Sequence, residues 1–369
     1  MTLDMTAVDA LVQRARRDID SGRLPAAQLA LAYEGELIVS EAFGEATTDS
    51  RFYTYSAIKP LVSLTLMELA ADGLLDLDAP VADYLSTFAT NGKGDVTISQ
   101  VLLHAGGFAH APMRVEAWND RDARLETYER WHLTLAPGAG FDYHASAGHW
   151  VLADLITEVT GRHHADVMTR RMLDPIGLPR LLAIDTADQA DIIDVVSIGD
   201  GPDPGAYAAM FGVEQPLTEV TNENLEAFND PEIRAAGNPG GGGIARAQDM
   251  ALWYQAVLHD DGSLLSPDVR ADALTEVRQR GADWLGVPAN RTHAFVLAGG
   301  DGKENYRGHG HGASPMTFGH SGAKGQIAAA DPATGVSYSY MTNGLEQDDL
   351  IYGRRAIAIA TRAIACGRR

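Results

Sequence analysis

Residues 56–73 read SAIKPLVSLTLMELAADG, and this stretch decides how the rest of the chain is interpreted. Nearly every position after Lys59 is apolar and Gly73 is a typical helix end, so the pattern predicts a buried central helix. Pro60 is tolerated only in the first turn of a helix, which puts Ser56 at the amino-terminal end. Backbone N–H groups and the helix dipole stabilise negative charge at that end.

Ser56 and Lys59 are three residues apart and therefore share one face of this helix. A serine hydroxyl is a poor nucleophile until a neighbour accepts its proton, and a lysine can do so when burial or nearby cations lower its pKa. The chain has only four lysines, so a lysine here is less expected from composition alone. The pair is a candidate nucleophile and base; the alternative is a helix-capping serine followed by a solvated lysine.

The composition is that of a globular protein: 369 residues, of which 45% are hydrophobic, can bury a large core. A net charge of −21 argues against nucleic acid and anionic lipid as partners. Cys366 is the only cysteine, which excludes a disulfide or a cysteine metal site within one chain. The sequence contains no long apolar span and no signal-peptide core near its start, so it predicts a cytoplasmic location and no membrane contact. It does not predict an oligomeric state.

Hydrophobic periodicity and turn residues predict strands at both ends of the chain. The predicted strands span residues 28–32, 37–43, 293–298, 325–330 and 336–341. Helices are predicted over 1–20, 151–160, 248–257 and 347–365, and the middle of the chain is mostly helical. The first two strands form a hairpin through Glu34-Gly35. This order predicts an α+β fold in which both termini contribute to one antiparallel sheet flanked by helices.

The same pattern predicts two domains. Residues 1–55 and 236–369 would form the sheet domain, and residues 56–235 would form a mostly helical domain that carries Ser56. A site that uses Ser56 is then expected at the junction of the two domains.

Two further segments contain candidate site residues. Residues 137–143 read PGAGFDY and end on Tyr143 just before a helix. A tyrosinate near a lysine is a competent general base, although a tyrosine at the end of a loop is more often a packing residue. Residues 318–323 read FGHSGA ahead of a predicted strand. An edge strand there can hold an acyl group and donate a backbone N–H group, whereas His320 alone is more often a polar residue without a catalytic role.

Three glycine-rich segments have alternative interpretations. Residues 240–243 could form a phosphate loop, but no Gly-Lys-Ser/Thr follows, so a tight turn before a helix is preferred. His309-Gly310-His311 could chelate a metal, but an exposed glycine-rich loop is preferred. Residues 199–207 form either a lid or a surface connection.

Together, these motifs and their order resemble the serine β-lactamase-like superfamily, which includes class C β-lactamases, DD-peptidases and family VIII carboxylesterases. The resemblance rests on residues 56–59, 96–107, 239–242 and 318–323 and covers nearly the whole chain. It implies the β-lactamase/transpeptidase-like fold, and no metal or organic cofactor. His104, within the second of these segments, is expected to be structural.

The resemblance also implies roles for individual residues. Ser56 would be the acylated nucleophile, Lys59 its proton acceptor or electrostatic partner, and Tyr143 the general base and acid. The backbone N–H groups of Ser56 and Ala323 would form the oxyanion hole. The residues in place of the usual Lys-Thr-Gly substrate-binding triad are His320, Ser321 and Gly322.

Two departures from the family pattern affect the expected substrate. Ala145 stands where an asparagine usually binds the side-chain carbonyl of β-lactam and peptide substrates, and His320 replaces the lysine that attracts a carboxylate. Both changes favour an ester or another uncharged acyl donor. The aromatic residues Phe108, Trp118, Tyr207 and Phe211 either line an apolar acyl pocket or pack in the core.

The sequence therefore predicts a serine hydrolase that cleaves carboxylic esters of small molecules through an acyl-enzyme on Ser56. The alternatives are a β-lactamase or D-amino-acid amidase or peptidase, an acyltransferase, and a non-catalytic binding or sensor module. A Ser-His-Asp α/β-hydrolase is disfavoured because the chain has no Gly-x-Ser-x-Gly motif.

Overall fold

The computed structural model describes residues 2–202, 205–214 and 220–368. The strands are β1 (Thr2–Leu3), β2 (Ala26–Tyr33), β3 (Glu36–Gly44), β4 (Phe52–Tyr53), β5 (Val196–Ile198), β6 (Ile244–Ala245), β7 (Val296–Leu297), β8 (Phe318–Ser321), β9 (Ile327–Asp331), β10 (Val336–Thr342), β11 (Gly344–Glu346) and β12 (Gly367–Arg368). The helices are α1 (Met5–Asp20), α2 (Lys59–Ala71), α3 (Ile98–Leu102), α4 (Arg121–Arg130), α5 (Ala147–Thr160), α6 (His164–Met168), α7 (Ala206–Phe211), α8 (Asn222–Glu226), α9 (Pro231–Ala236), α10 (Ala247–Leu258), α11 (Pro267–Thr275) and α12 (Asp349–Ala365).

Within the described ranges, six strands form one antiparallel sheet in the order β3-β2-β10-β9-β8-β7. Strands from the start of the chain thus pair directly with strands from its end, which confirms the predicted α+β arrangement. The β2–β3 hairpin turns through Glu34 and Gly35, whose φ angles of 52° and 82° are those that a two-residue hairpin turn requires.

The sheet is covered on both faces. Every residue of β2 is buried, and because side chains alternate along a strand, successive residues face opposite layers. Leu29 and Leu31 pack with α1 and α12, whereas Ala30 and Ala32 belong to the core that includes α10 and the buried helix α2. Small side chains on the second face leave room for α10 to lie close to the sheet.

Some predicted boundaries were wrong, and local geometry explains each case. Residues 318–321 form a strand of their own, β8, and β8 lies between β9 and β7 rather than at the sheet edge. Strand β9 starts at Ile327 because Lys324 and Gly325 have φ angles of 57° and 96°, which a strand cannot contain. The predicted strand 293–298 is reduced to β7, since the Thr292 hydroxyl accepts hydrogen bonds from the backbone N–H groups of residues 294 and 295.

The helix that follows Ser56 also begins later than the spacing indicates. Ser56 lies in a single 3-10 turn, Tyr55–Ile58, and α2 starts at Lys59 with Pro60 in its first turn. The C-terminal helix begins at Asp349 because the Asp348 carboxylate caps it through the Leu350 N–H group, 2.8 Å away.

None of the helices in the described part of the chain is long and apolar enough to cross a membrane. The division into two domains stays a prediction. Within the region considered as a lid, residues 203–204 lie outside the described residues, as do residues 215–219 farther along the chain.

Candidate active site

Ser56 and Lys59 face each other as their spacing predicts. Lys59 is buried, and its Nζ donates hydrogen bonds to Ser56 Oγ at 3.1 Å, to the Ala145 carbonyl at 2.7 Å and to the Gly240 carbonyl. A carbonyl can only accept, so both main-chain contacts need a hydrogen on Nζ. Contacts with three segments, at Ser56, Ala145 and Gly240, thus fix the position of Lys59 Nζ beside the Ser56 hydroxyl.

The glycine tract forms the preferred tight turn, and its glycines allow that turn to contact the segment around Ser56. A Cβ atom on Gly240 would lie 2.9 Å from the Ala145 carbonyl oxygen, and one on Gly243 would lie 2.3 Å from Thr54 Oγ1. Both separations are too short for real atoms. The missing side chains therefore let the Gly240 carbonyl reach Lys59.

Tyr143 lies beside the pair of Ser56 and Lys59, with its ring centre 5.3 Å from Lys59 Nζ. Its phenolic oxygen accepts hydrogen bonds from the side chains of Ser56 and Lys59. Burial alone raises the pKa of Tyr143, but the charges of Lys59 and Arg291, together with these hydrogen bonds, outweigh burial and lower its pKa. The structure thus brings Ser56, Lys59 and Tyr143 together, and the pKa of the tyrosine is lower than its usual value.

Arg291 is a site residue that the sequence analysis missed. Its guanidinium carbon lies 5.2 Å from the Tyr143 ring centre and 5.5 Å from that of Phe141. No carboxylate of a described residue lies within 4.0 Å of it. Burial lowers the pKa of Arg291, although the neighbouring Tyr143 raises it. An arginine remains a cation at neutral pH, so the site contains a second positive charge beside Tyr143.

His320 is neutral in this setting. Its Nε2 is 3.2 Å from a guanidinium nitrogen of Arg291, and its Nδ1 is 2.8 Å from the Ser321 carbonyl. Arginine can only donate, so Nε2 accepts and Nδ1 carries the hydrogen that is donated to Ser321. Burial, then the charges of Arg291 and Lys59, hold the pKa of His320 well below its usual range. The cation in this region is Arg291 rather than His320.

Strand β8 ends against the turn that contains Ser56. A Cβ atom on Gly322 would lie 2.1 Å from the Thr54 carbonyl oxygen, so only glycine allows this approach. Ser56 and Ala323 each lie in a 3-10 turn, and neither backbone N–H group donates a hydrogen bond to another described residue. Two free N–H groups on adjoining segments are what an oxyanion hole requires.

Buried histidines support the loop that carries Tyr143. His104 Nδ1 accepts a hydrogen bond from the His144 backbone at 3.1 Å, and the rings of His104 and Tyr143 are 4.6 Å apart. Burial is the main cause that holds the pKa of His104 well below its usual range. These contacts are those of a neutral residue that positions the loop.

The expectation of an exposed loop at His309-Gly310-His311 was wrong for its first two residues. His309 is buried, and its Nε2 lies 3.1 Å from the Val296 carbonyl. Gly310 is also buried, and it packs so closely that a Cβ atom there would lie 2.2 Å from the backbone nitrogen of Thr361. The side chain of His309 supports β7, and only His311 is exposed.

A cavity of about 970 Å³ opens beside Tyr143. Ala145 and Ala323 are among its lining residues, so the position where an asparagine was expected presents a methyl group to it. Of the four aromatic residues considered for an acyl pocket, Tyr207 and Phe211 line this cavity, whereas Phe108 and Trp118 pack in the core.

Comparisons with known proteins identify relatives of the whole chain. A family model described as Beta-lactamase matches residues 8–362. The chain is 28% identical over 333 residues to Esterase/beta-lactamase LipL of Mycobacterium tuberculosis, covering 81% of this chain and 70% of the relative. It is 26% identical over 295 residues to Esterase EstB of Burkholderia gladioli, covering 72% of each.

Solved structures show the same fold. A penicillin-binding protein homologue from Caulobacter crescentus superposes with a TM-score of 0.80 at 24% identity and covers 99% of both chains. A family VIII carboxylesterase superposes with a TM-score of 0.77 at 25% identity and covers 97% of both chains.

Proposed function

The chain belongs to the β-lactamase family and is a serine hydrolase, and from this premise we propose that it cleaves carboxylic esters through an acyl-enzyme on Ser56. The observation that carries the proposal is the convergence of Lys59 and Tyr143 on the Ser56 hydroxyl. A nucleophile, a base and a cation that favours the charged form of the base then lie within hydrogen-bonding reach of each other.

The reaction proceeds in two matched halves. The Tyr143 phenolate takes the proton of the Ser56 hydroxyl while Oγ forms a bond to the ester carbonyl carbon. The resulting oxyanion accepts hydrogen bonds from the backbone N–H groups of Ser56 and Ala323. Tyr143 then returns the proton to the departing alcohol oxygen as the ester bond breaks. In the second half, water attacks the carbonyl carbon of the acyl-enzyme while Tyr143 takes its proton. Tyr143 then returns the proton to Ser56 Oγ as the bond between Oγ and the acyl group breaks and the acid is released.

Lys59 acts as the electrostatic partner in this scheme. Its acceptors include the Ala145 and Gly240 carbonyls and the oxygens of Ser56 and Tyr143, and an ammonium has three hydrogens for them where a neutral amine has two. The positive charges of Lys59 and Arg291 together favour the phenolate form of Tyr143. Tyr143 is then the base, and Lys59 keeps it in the basic form.

Two features support an ester as the substrate. Ala145 offers no amide group for the side chain of a peptide-like acyl donor, and the neutral His320 offers no charge for a carboxylate. The relative EstB is named an esterase, and LipL is named an esterase/β-lactamase. A specific observation favours the β-lactamase alternative: Arg291, which forms no ion pair with a carboxylate of a described residue, lies beside His320 and suits the carboxylate that a β-lactam carries.

Hydrolysis of 4-nitrophenyl butyrate and nitrocefin by wild type, Ser56→Ala and Ser86→Ala tests the proposal. Ser86 is exposed and far from the site in sequence, so its variant is the matched control. We expect Ser56→Ala to lower ester turnover by on the order of 10⁴-fold, with Ser86→Ala unchanged. Mass spectrometry after a fluorophosphonate probe should show one adduct, on Ser56. If the probe labels the Ser56→Ala protein, Ser56 is not the nucleophile. If nitrocefin is hydrolysed faster than the ester, the β-lactamase alternative is favoured.

A further inference from the structure

The cavity beside Tyr143 continues outward into a row of aromatic side chains that the proposed chemistry does not use. We call Trp284, Tyr207, Phe211 and Tyr306 the aromatic row. The ring centres of Trp284 and Tyr207 are 5.4 Å apart and nearly parallel, and Tyr207 and Phe211 are 4.7 Å apart. Phe211 and Tyr306 follow at 6.3 Å with an edge-to-face arrangement. Each ring is therefore a neighbour of the next. None of the four belongs to a buried hydrophobic cluster among the described residues.

These rings are exposed to a degree that folding alone does not explain. Trp284 is 46% exposed and Tyr306 is 45% exposed, and Met210 beside them is 48% exposed. No residue of α7, which carries Tyr207 and Phe211, is buried. Large apolar side chains concentrated on one accessible surface mark a binding site more often than chance placement.

The aromatic row and the candidate active site line one continuous cavity. Its lining includes all four rings of the row and also Tyr143 and Ala323. Its volume of about 970 Å³ is that of a pocket for a drug-sized ligand and exceeds what a small acyl group needs. Ser56 is not itself a lining residue, but its hydroxyl contacts Tyr143, which is, so a substrate attached at Ser56 can extend a large group into the cavity and toward the row.

We propose that the aromatic row binds an aryl group of the ester substrate. This inference rests on the proposed function, because it assigns the group that lies beyond the ester bond. Aromatic rings gain from stacked and edge-to-face contacts with other rings beyond the gain from burial, whereas an alkyl chain gains only from burial. A wall made of ring faces and edges thus favours an aryl group over an alkyl group of equal size.

Four isomer-matched esters test the preference in a pH-stat assay. Methyl phenylacetate and benzyl acetate carry the ring on the acyl side and on the alcohol side, and methyl octanoate and heptyl acetate are their alkyl matches with equal carbon number. We expect one aryl ester to exceed its alkyl match in kcat/KM by about tenfold on the wild type. Trp284→Ala should remove that advantage and leave the alkyl esters nearly unchanged. Tyr306→Ala provides a second variant, and Leu74→Ala, at a side chain 45% exposed elsewhere, is the control.

Calorimetric binding to the Ser56→Ala protein separates this inference from the proposed function, because it needs no turnover. Adding Trp284→Ala to Ser56→Ala should weaken binding of the preferred aryl ester about tenfold, and adding Leu74→Ala should not. If this loss is found without Ser56-dependent turnover of any ester, the aryl site stands and the proposed function fails. If turnover depends on Ser56 but Trp284→Ala changes neither binding nor the aryl preference, the aryl site is overturned and the proposed function stands.

Discussion

Two buried lysines, Lys59 and Lys93, have nearly the same surroundings and different expected roles. Each donates hydrogen bonds to two main-chain carbonyls and one aliphatic hydroxyl, and each lies over an aromatic ring; Lys59 donates in addition to the phenolic oxygen of Tyr143. The acceptors are Ala145 O, Gly240 O and Ser56 Oγ for Lys59, and Thr90 O, Trp131 O and Thr90 Oγ1 for Lys93. The rings are Tyr143 for Lys59 and Phe88 for Lys93, at 5.3 Å and 5.5 Å.

The difference lies in what each hydroxyl contacts next. The Ser56 hydroxyl donates to Tyr143, which titrates and lines a cavity, whereas the Thr90 hydroxyl donates to the Glu129 carbonyl at 2.8 Å. The Thr90 proton is thus committed to a main-chain acceptor that cannot carry it away. Burial and three hydrogen bonds therefore do not by themselves indicate a catalytic lysine; the titratable group beyond the hydroxyl does.

Replacing each lysine by methionine should produce the largest contrast. Lys59→Met removes the charge that favours the Tyr143 phenolate, so we expect kcat/KM for 4-nitrophenyl butyrate to fall by about 10³-fold or more. Lys93→Met removes the Nζ donor from the Thr90 and Trp131 carbonyls, each of which keeps one other donor, so we expect it to lower the free energy of unfolding by about 1 kcal/mol and to leave kcat unchanged.

Kinetics at a temperature where both variants are folded, together with urea denaturation, separate these two outcomes. Circular dichroism confirms folding before each assay. A folded Lys93→Met protein as inactive as Lys59→Met would contradict the distinction between the two lysines.

Replacing Tyr143, which contacts the Lys59 pair, and Thr90, which contacts Lys93, should change kcat in the same pattern as replacing the two lysines, with a smaller effect. Tyr143→Phe keeps the ring and removes the base, and we expect kcat to fall by about 10²–10³-fold. Thr90→Val removes the hydroxyl next to Lys93, and we expect kcat to stay within twofold of wild type, since no proton moves there. Stopped-flow measurement of 4-nitrophenol release gives the rate of acylation directly. An unchanged acylation rate in Tyr143→Phe would exclude Tyr143 as the base.

The sequence predicts the local part of this arrangement well. The spacing of Ser56 and Lys59 and the apolar run to Gly73 depend on neighbours along one helix, so periodicity reveals them. The β2–β3 hairpin is equally local, because its turn residues permit the positive φ angles that the turn needs.

The sequence does not predict Arg291, because its position depends on contacts between distant segments. Val296 pairs with Gly319 where β7 meets β8, and this pairing brings Arg291 beside His320. The intervening residues contain turns of irregular length, so no periodic pattern encodes the register. The pairing also places β8 inside the sheet. The sequence instead predicts that residues 318–323 precede an edge strand.

Arg291 is a further difference between the two lysine sites. The Lys59 site contains this second cation, whereas burial alone lowers the pKa of Lys93. The charge of Arg291 helps to hold the pKa of Tyr143 down against burial, so its removal in Arg291→Gln should raise that pKa. A base works only when deprotonated, and kcat/KM rises with pH through the pKa of the free enzyme's base. We therefore expect the acidic limb of the kcat/KM profile to move to higher pH in Arg291→Gln.

Arg291→Lys is the matched control, because it keeps the charge and removes the planar guanidinium that donates to His320. If Arg291 acts through its charge on Tyr143, the acidic limb of Arg291→Lys stays near that of wild type while Arg291→Gln shifts. If Arg291 acts by orienting His320, both variants lose activity equally at every pH and neither limb moves. If Arg291 instead binds a substrate carboxylate, Arg291→Gln raises KM for nitrocefin and leaves kcat/KM for the uncharged ester unchanged at all pH values.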